Sequence, residues 1–235
     1  EVTWRYQFVA PGSKLDPVAD AVAFDVGGRL CAGILDQHQD GSLGACSSEL
    51  LLNHPELAYG HLMHPWLRRR DDGQTLAGRP FLPAIVLHEE PDFDCVVSAH
   101  LMRQLVQEGC FPPYATALVE YAARIDQGKY AMPLSHSEAV AMPVHMGYLA
   151  LQTRTDVQPP LARWQRNLEL GERMVLATVE ALATARGGRN FAITLADFEL
   201  GIAGATSAHA PDSAAGPSHP PHAAWQHLAE CKAEC

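Results

Sequence analysis

Three short apolar runs constrain the fold of this chain most strongly, because each has the length and composition of a buried strand. An acidic or histidine side chain stands at or beside the end of each run. The runs are AVAFDV at 21–26, CAGILD at 31–36 and AIVLH at 84–88. Apolar runs without alternation are typical of strands that are buried on both faces of a sheet. Because helical patterns follow these strands, we expect an α/β fold in which helices flank a mostly parallel sheet.

Helices are indicated by apolar stripes that begin after serine or proline, or that end at glycine. They are expected from Ser47 to Asn53, after Asp94 up to about Glu108, after Pro113 up to Asp126, and over about 161–186. Residues 54–83 lose this periodicity and carry proline, glycine and a run of charged residues, so we interpret them as a surface insertion.

Composition and charge narrow the classes of function. The 235 residues are 47% hydrophobic, enough to fill a core, and the six cysteines form no CxxC pair. No run approaches the roughly 20 apolar residues that span a bilayer, so we expect a cytoplasmic protein without membrane contact. The net charge of −10 disfavours long nucleic acids, whereas a small phosphorylated ligand or a short single strand remains compatible.

Candidate metal ligands are densest between His88 and Asp94, where a strand end delivers an imidazole and a turn presents two carboxylates. Mn²⁺ and Mg²⁺ accept such an oxygen-rich set with one or two nitrogens. Asp25, Asp36 and His38 lie at or beside the ends of the two earlier strands, and ligands of such sheets bind beyond the carboxyl ends of the strands. A solvated acidic turn, and acids that cap the following loops, are the alternatives.

The order of these motifs resembles the DHH phosphoesterase superfamily. The segments that carry the resemblance are Asp25-Val26-Gly27-Gly28, Asp36-Gln37-His38-Gln39, His88 through Asp94, and Ile125-Asp126-Gln127-Gly128. The DVGG and D-x-H-Q segments are similar to the branch typified by the melanocyte-proliferating-gene nuclease. The third segment is similar to the opening motif of RecJ-type nucleases. Together the matches cover about residues 20–130.

The resemblance implies two divalent metals, usually manganese, around a bridging water. The implied metal ligands are Asp25 as the bridge, His88 and Asp92 on one ion, and Asp94 and Asp126 on the other. The resemblance also implies two catalytic residues: His38 faces the substrate phosphate, and Asp36 orients its neighbours.

Two departures from the family pattern affect these expectations. The H-x-x-x-D-x-D segment follows the DHH-like segment instead of preceding it. This order implies a circular permutation, or a truncated family member with an accidental match. Gln37 also stands where the family has a metal-binding histidine, and an amide oxygen is a weaker ligand. We therefore expect one or two ions, Mn²⁺ or Mg²⁺.

The function expected from these residues is hydrolysis of a phosphodiester or phosphoanhydride by metal-activated water. The substrate would be a small nucleotide, a short single-stranded nucleic acid or a polyphosphate, with Arg68 and Lys129 as candidate phosphate-binding residues. A catalytically weakened nucleotide-sensing or assembly module is the alternative, and an unrelated α/β scaffold is a third interpretation. The sequence leaves open a homo-oligomer or a complex.

Three parts are expected along the chain: a DHH-like metal-binding α/β domain over 1–135, a helical extension packed on it over 136–202, and a flexible Ala-, Pro- and His-rich tail over 203–235. In the tail, His227, Cys231 and Cys235 have a spacing compatible with zinc binding on a helix. An unstructured or packing role for these three residues is the alternative.

Overall fold

A five-stranded sheet lies at the centre of the part of the chain that the computed structural model describes, residues 2–38, 46–63, 82–128, 160–185 and 192–199. The strands are β1 (Arg5–Val9), β2 (Ala21–Phe24), β3 (Leu30–Cys31), β4 (Ile34–Leu35) and β5 (Ala84–His88). Their order across the sheet is β1-β5-β2-β4-β3. All neighbouring strands are parallel except β3 and β4, which pair antiparallel. The expected α/β class with a mostly parallel sheet is confirmed.

Alternate residues of the central strands enter two separate apolar clusters, as the pleat of a strand requires. Val22 and Phe24 of β2 lie in the larger cluster, together with residues of β5. Ala23 of β2 and Val86 of β5 lie in the smaller cluster on the other face. Both faces of these two strands are therefore buried, which explains why their sequences are apolar throughout.

The longer helices in the described residues are α1 (Ser47–Asn53), between β4 and β5, and then α2 (Phe93–Glu108), α3 (Ala115–Asp126) and α4 (Pro160–Ala185). Each contributes to the larger apolar cluster, through Leu51, Leu101, Leu118 and Val175 respectively. All four lie within one or two residues of the bounds predicted from the sequence, so these predictions are confirmed. None of the helices in the described part of the chain is long and apolar enough to cross a membrane.

The run at 31–36, predicted as a single strand, is instead part of a hairpin. Cys31 ends β3, a turn passes through Ala32 and Gly33, and β4 then returns antiparallel to β3. Gly33 has a φ of 86°, and a Cβ there would lie 2.7 Å from His61 Nε2. The turn therefore requires glycine, which breaks the run into two short strands.

Residues 54–63 are a second correction, because the predicted surface insertion begins with helical structure that belongs to the core. A π-helical turn spans Glu56–Gly60, and both Ala58 and Leu62 are fully buried in the larger cluster. Residues 64–81 lie outside the described part of the chain. β1 is also not predicted, since it lies at the edge of the sheet and its side chains are only partly buried or exposed.

Candidate metal centre

The carboxyl ends of β5, β2 and β4 lie side by side, because these strands are parallel neighbours in the sheet. Each end carries a residue that the sequence indicates as functional. His88 is the last residue of β5, Asp25 follows β2, and Asp36 follows β4. The structure therefore brings these three residues to one edge of the sheet.

Asp25 is the centre of this site. Its backbone has a φ of 57°, a left-handed conformation that aspartate and asparagine adopt more readily than most residues. The residue is 7% exposed. Its Oδ1 accepts a hydrogen bond from Gln37 Nε2 at 2.5 Å and lies 3.2 Å from His38 Nδ1. Its Oδ2 lies 3.0 Å from His88 Nε2, so this one carboxylate connects the loop after β4 with the end of β5.

One group of candidate ligands comprises Asp25, His88, Asp92 and Cys95, whose ligand atoms all lie within 4.8 Å of one another. His88 Nδ1 lies 2.7 Å from the Glu89 carbonyl oxygen and donates to it, which directs Nε2 towards Asp25. Asp92 precedes α2 and accepts a hydrogen bond from the backbone N–H of Cys95 at 3.0 Å. The buried Cys95 Sγ lies 4.0 Å from Asp25 Oδ2.

A second group comprises Asp25, Asp36 and His38. Asp36 Oδ2 accepts a hydrogen bond from the backbone N–H of Gly28 at 2.6 Å, and Asp36 Oδ1 lies 3.0 Å from His38 Nδ1. Both close neighbours of this ring nitrogen are carboxylate oxygens, so Nδ1 carries the hydrogen and Nε2 is left for another partner. The His38 side chain is 65% exposed, so that partner can come from solvent.

The crowding of carboxyl groups alters ionisation at this site. Burial and the charges of Asp94 and Asp25 raise the pKa of Asp92 to about 6. At the end of α3, partial desolvation and the charges of Asp94, Asp92 and Asp25 raise the pKa of Asp126 to about 7, although this residue is exposed. Burial acts to lower the pKa of His88, but its hydrogen bonds and the nearby carboxylates outweigh burial and raise the pKa to about 9. All three shifts show that the site favours additional positive charge.

Asp94 lies outside both groups of candidate ligands. Its Oδ2 accepts hydrogen bonds from Ser47 N–H at 2.8 Å and from Ser47 Oγ at 2.6 Å. Its Oδ1 accepts from Ser48 N–H at 3.1 Å and from Ser48 Oγ at 2.5 Å. These bonds connect the start of α2 to the start of α1. The carboxylate that the resemblance assigns to a second metal therefore has a structural role here.

Of the other predicted site residues, the structure describes Asp126, and the rest lie outside the described residues. Asp126 lies near enough to the carboxylates to have its pKa raised, but it belongs to neither group. Arg68, Lys129 and the cluster of His227, Cys231 and Cys235 lie outside the described residues.

Cys95 was not predicted as a ligand, and Gln37 was expected to be only a weak one, although both lie at Asp25. Cys95 stands three residues after Asp92, and residues with that spacing are neighbours on a helix, so the spacing is the signal that could have indicated it. Gln37 is 7% exposed, and its Oε1 has no hydrogen-bond partner within the described part of the chain. Buried polar atoms are nearly always paired, so an unpaired oxygen beside Asp25 indicates a place for a bound cation or water.

No family model matches this chain, and neither a curated protein nor a solved structure matches it. A functional assignment therefore rests on the chemistry of the donor atoms. Carboxylate, imidazole and thiol groups that converge on one point are a suitable set for a divalent cation. The two groups share Asp25, which allows a second cation to bind beside the first.

Proposed function

We propose that this chain is a divalent-metal-dependent phosphoesterase, a DHH-like hydrolase whose metal-binding segments occur in permuted order. One observation carries the proposal: the buried Asp25 belongs to both groups of donor atoms at the carboxyl edge of the sheet. A carboxylate shared in this way is suited to one or two cations, and the sequence favours Mn²⁺ or Mg²⁺. The motifs themselves support the family assignment, although their order departs from that of the family.

Each side chain has a separate task in this proposal. His88 and Asp92 would hold the first cation together with Asp25, whereas Asp36 and His38, the other members of the second group, act on the substrate side. A bound cation would neutralise charge on the phosphoryl group and activate water for attack on phosphorus.

His38 is the residue best placed to contact substrate. Its Nδ1 donates to Asp36, so the exposed ring directs Nε2 to the substrate, where the protonated imidazolium would donate Nε2–H to a phosphate oxygen. Asp36 is a positioning residue, because it acts by orienting that imidazole. Asp126 remains a candidate ligand of a second cation, whereas Asp94 is engaged by α1.

A small nucleotide, a short single-stranded nucleic acid or a polyphosphate is the proposed substrate. The net charge of −10 supports this choice, because a long polyanion would meet a repulsive field over most of the surface. Arg68 and Lys129 are proposed to contact outlying phosphate groups.

Asp25→Asn is the first test of this function. Asparagine tolerates the left-handed backbone and keeps the shape of the side chain, but it removes the shared negative charge. The full chain is assayed with Mn²⁺ and with Mg²⁺ against bis(p-nitrophenyl) phosphate, short oligonucleotides, nucleotides and pyrophosphate. We expect metal-stimulated hydrolysis that falls at least about 100-fold in Asp25→Asn.

The control for this test is Asp20→Asn, which makes the same chemical change at an exposed residue before β2 and should retain full activity. The proposal fails if the wild-type chain hydrolyses none of these substrates with any added metal, or if Asp25→Asn and Asp20→Asn are equally active.

The Gln37 amide favours a second candidate function, a site that binds a nucleotide without hydrolysing it. The amide donates a hydrogen bond to Asp25 Oδ1, where the DHH pattern would place a metal-binding histidine. In that case the wild-type chain should bind nucleotide in the presence of Mn²⁺ without turnover, and Gln37→His should introduce hydrolysis. Turnover by the wild-type chain would exclude this alternative.

A further inference from the structure

Cys95 is one of four donors that converge on a single point. Its Sγ and one ligand atom each from Asp25, His88 and Asp92 lie within 4.8 Å of one another. Tetrahedral ligands at ~2.0–2.3 Å from an ion lie roughly 3.3–3.8 Å apart. The observed separations therefore require inward shifts of only about an ångström for all four atoms to bind one ion.

The surroundings of Cys95 differ from those of Cys46, which is also fully buried. Cys46 Sγ lies 3.2 Å from the Ser48 hydroxyl and belongs to neither candidate ligand group among the described residues. Cys95 Sγ instead faces a carboxylate at 4.0 Å, a long contact for a hydrogen bond. Cys46 thus has the environment of a structural cysteine, whereas Cys95 lies among metal-binding groups.

Gln37 gives an independent indication that a ligand belongs here. Its Nε2 donates to Asp25 Oδ1, while the Oε1 on the same amide carbon is buried without a partner in the described part of the chain. An unpaired buried acceptor is unfavourable, and a cation next to Asp25 would supply the missing positive charge.

We infer that Cys95 is a ligand of the metal in this site, and that the site consequently takes an ion that accepts sulfur, such as Zn²⁺, Co²⁺ or Fe²⁺, in preference to Mg²⁺. The inference rests on the metal centre of the proposed function and refines the identity of its ion. Oxygen ligands suit Mg²⁺ and Mn²⁺, whereas a thiolate selects softer ions, and Mn²⁺ is the weakest binder in the divalent series from manganese to copper. On binding, the Cys95 thiol proton and the proton on His88 Nε2 pass to the buffer as the metal–sulfur and metal–nitrogen bonds form.

Co²⁺ titration of the full chain tests the inference, because a cobalt–thiolate bond gives a charge-transfer absorption in the near ultraviolet. We expect this band at one equivalent of Co²⁺ in the wild type, and its loss in Cys95→Ser. Cys46→Ser is the matched control and should retain the band. The double variant Cys231→Ser/Cys235→Ser should also retain it, since the tail is then not the source of the sulfur. Cys95→Ser should lower Zn²⁺ affinity at least about 100-fold and change Mg²⁺ affinity far less.

A missing band in the wild type overturns the inference, and so does a band that persists in Cys95→Ser. If Cys95→Ser does not fold, X-ray absorption of the Zn²⁺-loaded double variant of the tail decides the question. One sulfur at ~2.3 Å from zinc supports the inference, and its absence refutes it.

These experiments distinguish a failure of this inference from a failure of the proposed function. A Cys95-dependent cobalt band without hydrolysis of any substrate would preserve this inference and refute the phosphoesterase. Hydrolysis that requires Asp25 but is unchanged in Cys95→Ser, with no metal–sulfur bond, would do the reverse.

Discussion

Replacing Asp94 by asparagine should destabilise the fold even when no metal is present, because this carboxylate connects two helices. It is 3% exposed, and each of its oxygens accepts one backbone and one hydroxyl hydrogen bond, from Ser47 and Ser48. Asparagine keeps the shape of the side chain, but its NH₂ group cannot accept a hydrogen bond. One of the two serines therefore loses its acceptor.

The size of this loss of stability follows from the hydrogen-bonding groups that the substitution leaves unpaired. A hydrogen bond to a charged group contributes roughly 1.5–3 kcal/mol, and a buried unpaired donor costs roughly 1–3 kcal/mol. The Ser47 hydroxyl lies 2.9 Å from Ser98 Oγ and can be paired again, but the first N–H groups of α1 have no acceptor within their own helix. We expect Asp94→Asn to lower the free energy of unfolding by about 2–4 kcal/mol, a large part of the stability of a typical domain.

Urea denaturation followed by circular dichroism, in excess EDTA, measures this loss. Asp92→Asn is the matched control, because it makes the same change two residues earlier, where asparagine caps a helix as well as aspartate does. The control should change the free energy of unfolding by less than about 1 kcal/mol. If Asp94→Asn unfolds at the wild-type urea concentration and instead loses metal affinity, Asp94 is a metal ligand and the structural assignment is wrong.

Two further predictions concern stability away from the metal centre. Glu172 is buried beside Arg103, and burial raises its carboxyl pKa from 4.5 to about 7 despite the Arg103 charge. Since the folded state holds this proton more tightly than the unfolded chain, the stabilisation is present below pH 4.5 and is lost as pH rises through 7. Relative to Glu172→Gln, the wild type should therefore lose roughly 2–3 kcal/mol of unfolding free energy between about pH 5 and pH 8. A difference between the two proteins that does not depend on pH would contradict this reasoning. Gly27 has a φ of 122°, and a Cβ there would lie 2.5 Å from Ile34 Cγ2. Gly27→Ala should therefore lower the free energy of unfolding, measured by urea denaturation, by about 2–4 kcal/mol. The control Gly12→Ala should lower it by about 1 kcal/mol, because its Cβ would meet no atom within 4 Å. Equal losses would show that the contact with Ile34 is readily relieved.

Local signals account for the elements that could be predicted from the sequence. β2 and β5 are short apolar runs, and Gly109 ends α2 where the apolar stripe stops. β1 depends on a pairing with β5, which lies far along the chain, and no local pattern shows that pairing. The π-helical turn at Glu56–Gly60 is equally nonlocal in origin, since burial against the core holds Ala58 in place. Tertiary packing, not propensity, determines both elements.

From the sequence, convergence on one site could be predicted only for the residues at the ends of the parallel strands. Asp25, Asp36 and His88 converge because parallel strands end at a common edge, a rule that sequence reasoning can apply. The two acids of the D-x-D motif separate because α2 begins at Phe93, inside the motif. Residues two apart on a helix point in different directions, so Asp92 faces the site while Asp94 faces α1. The same geometry brings Cys95, three residues after Asp92, back towards Asp25.

Hydrogen-bond donors distinguish the structural acid from the functional ones. Asp94 receives four donors, so the fold compensates its burial. In the described part of the chain, no lysine or arginine forms an ion pair with Asp25, Asp92 or Asp126. Histidines are the only basic partners that the structure gives Asp25 there, and their nitrogens can bind metal as well as protons. A fold that pairs one buried carboxylate fully with fixed donors and leaves Asp25 to histidine nitrogens has a place for a cation at Asp25, because a cation can replace the protons that those nitrogens carry.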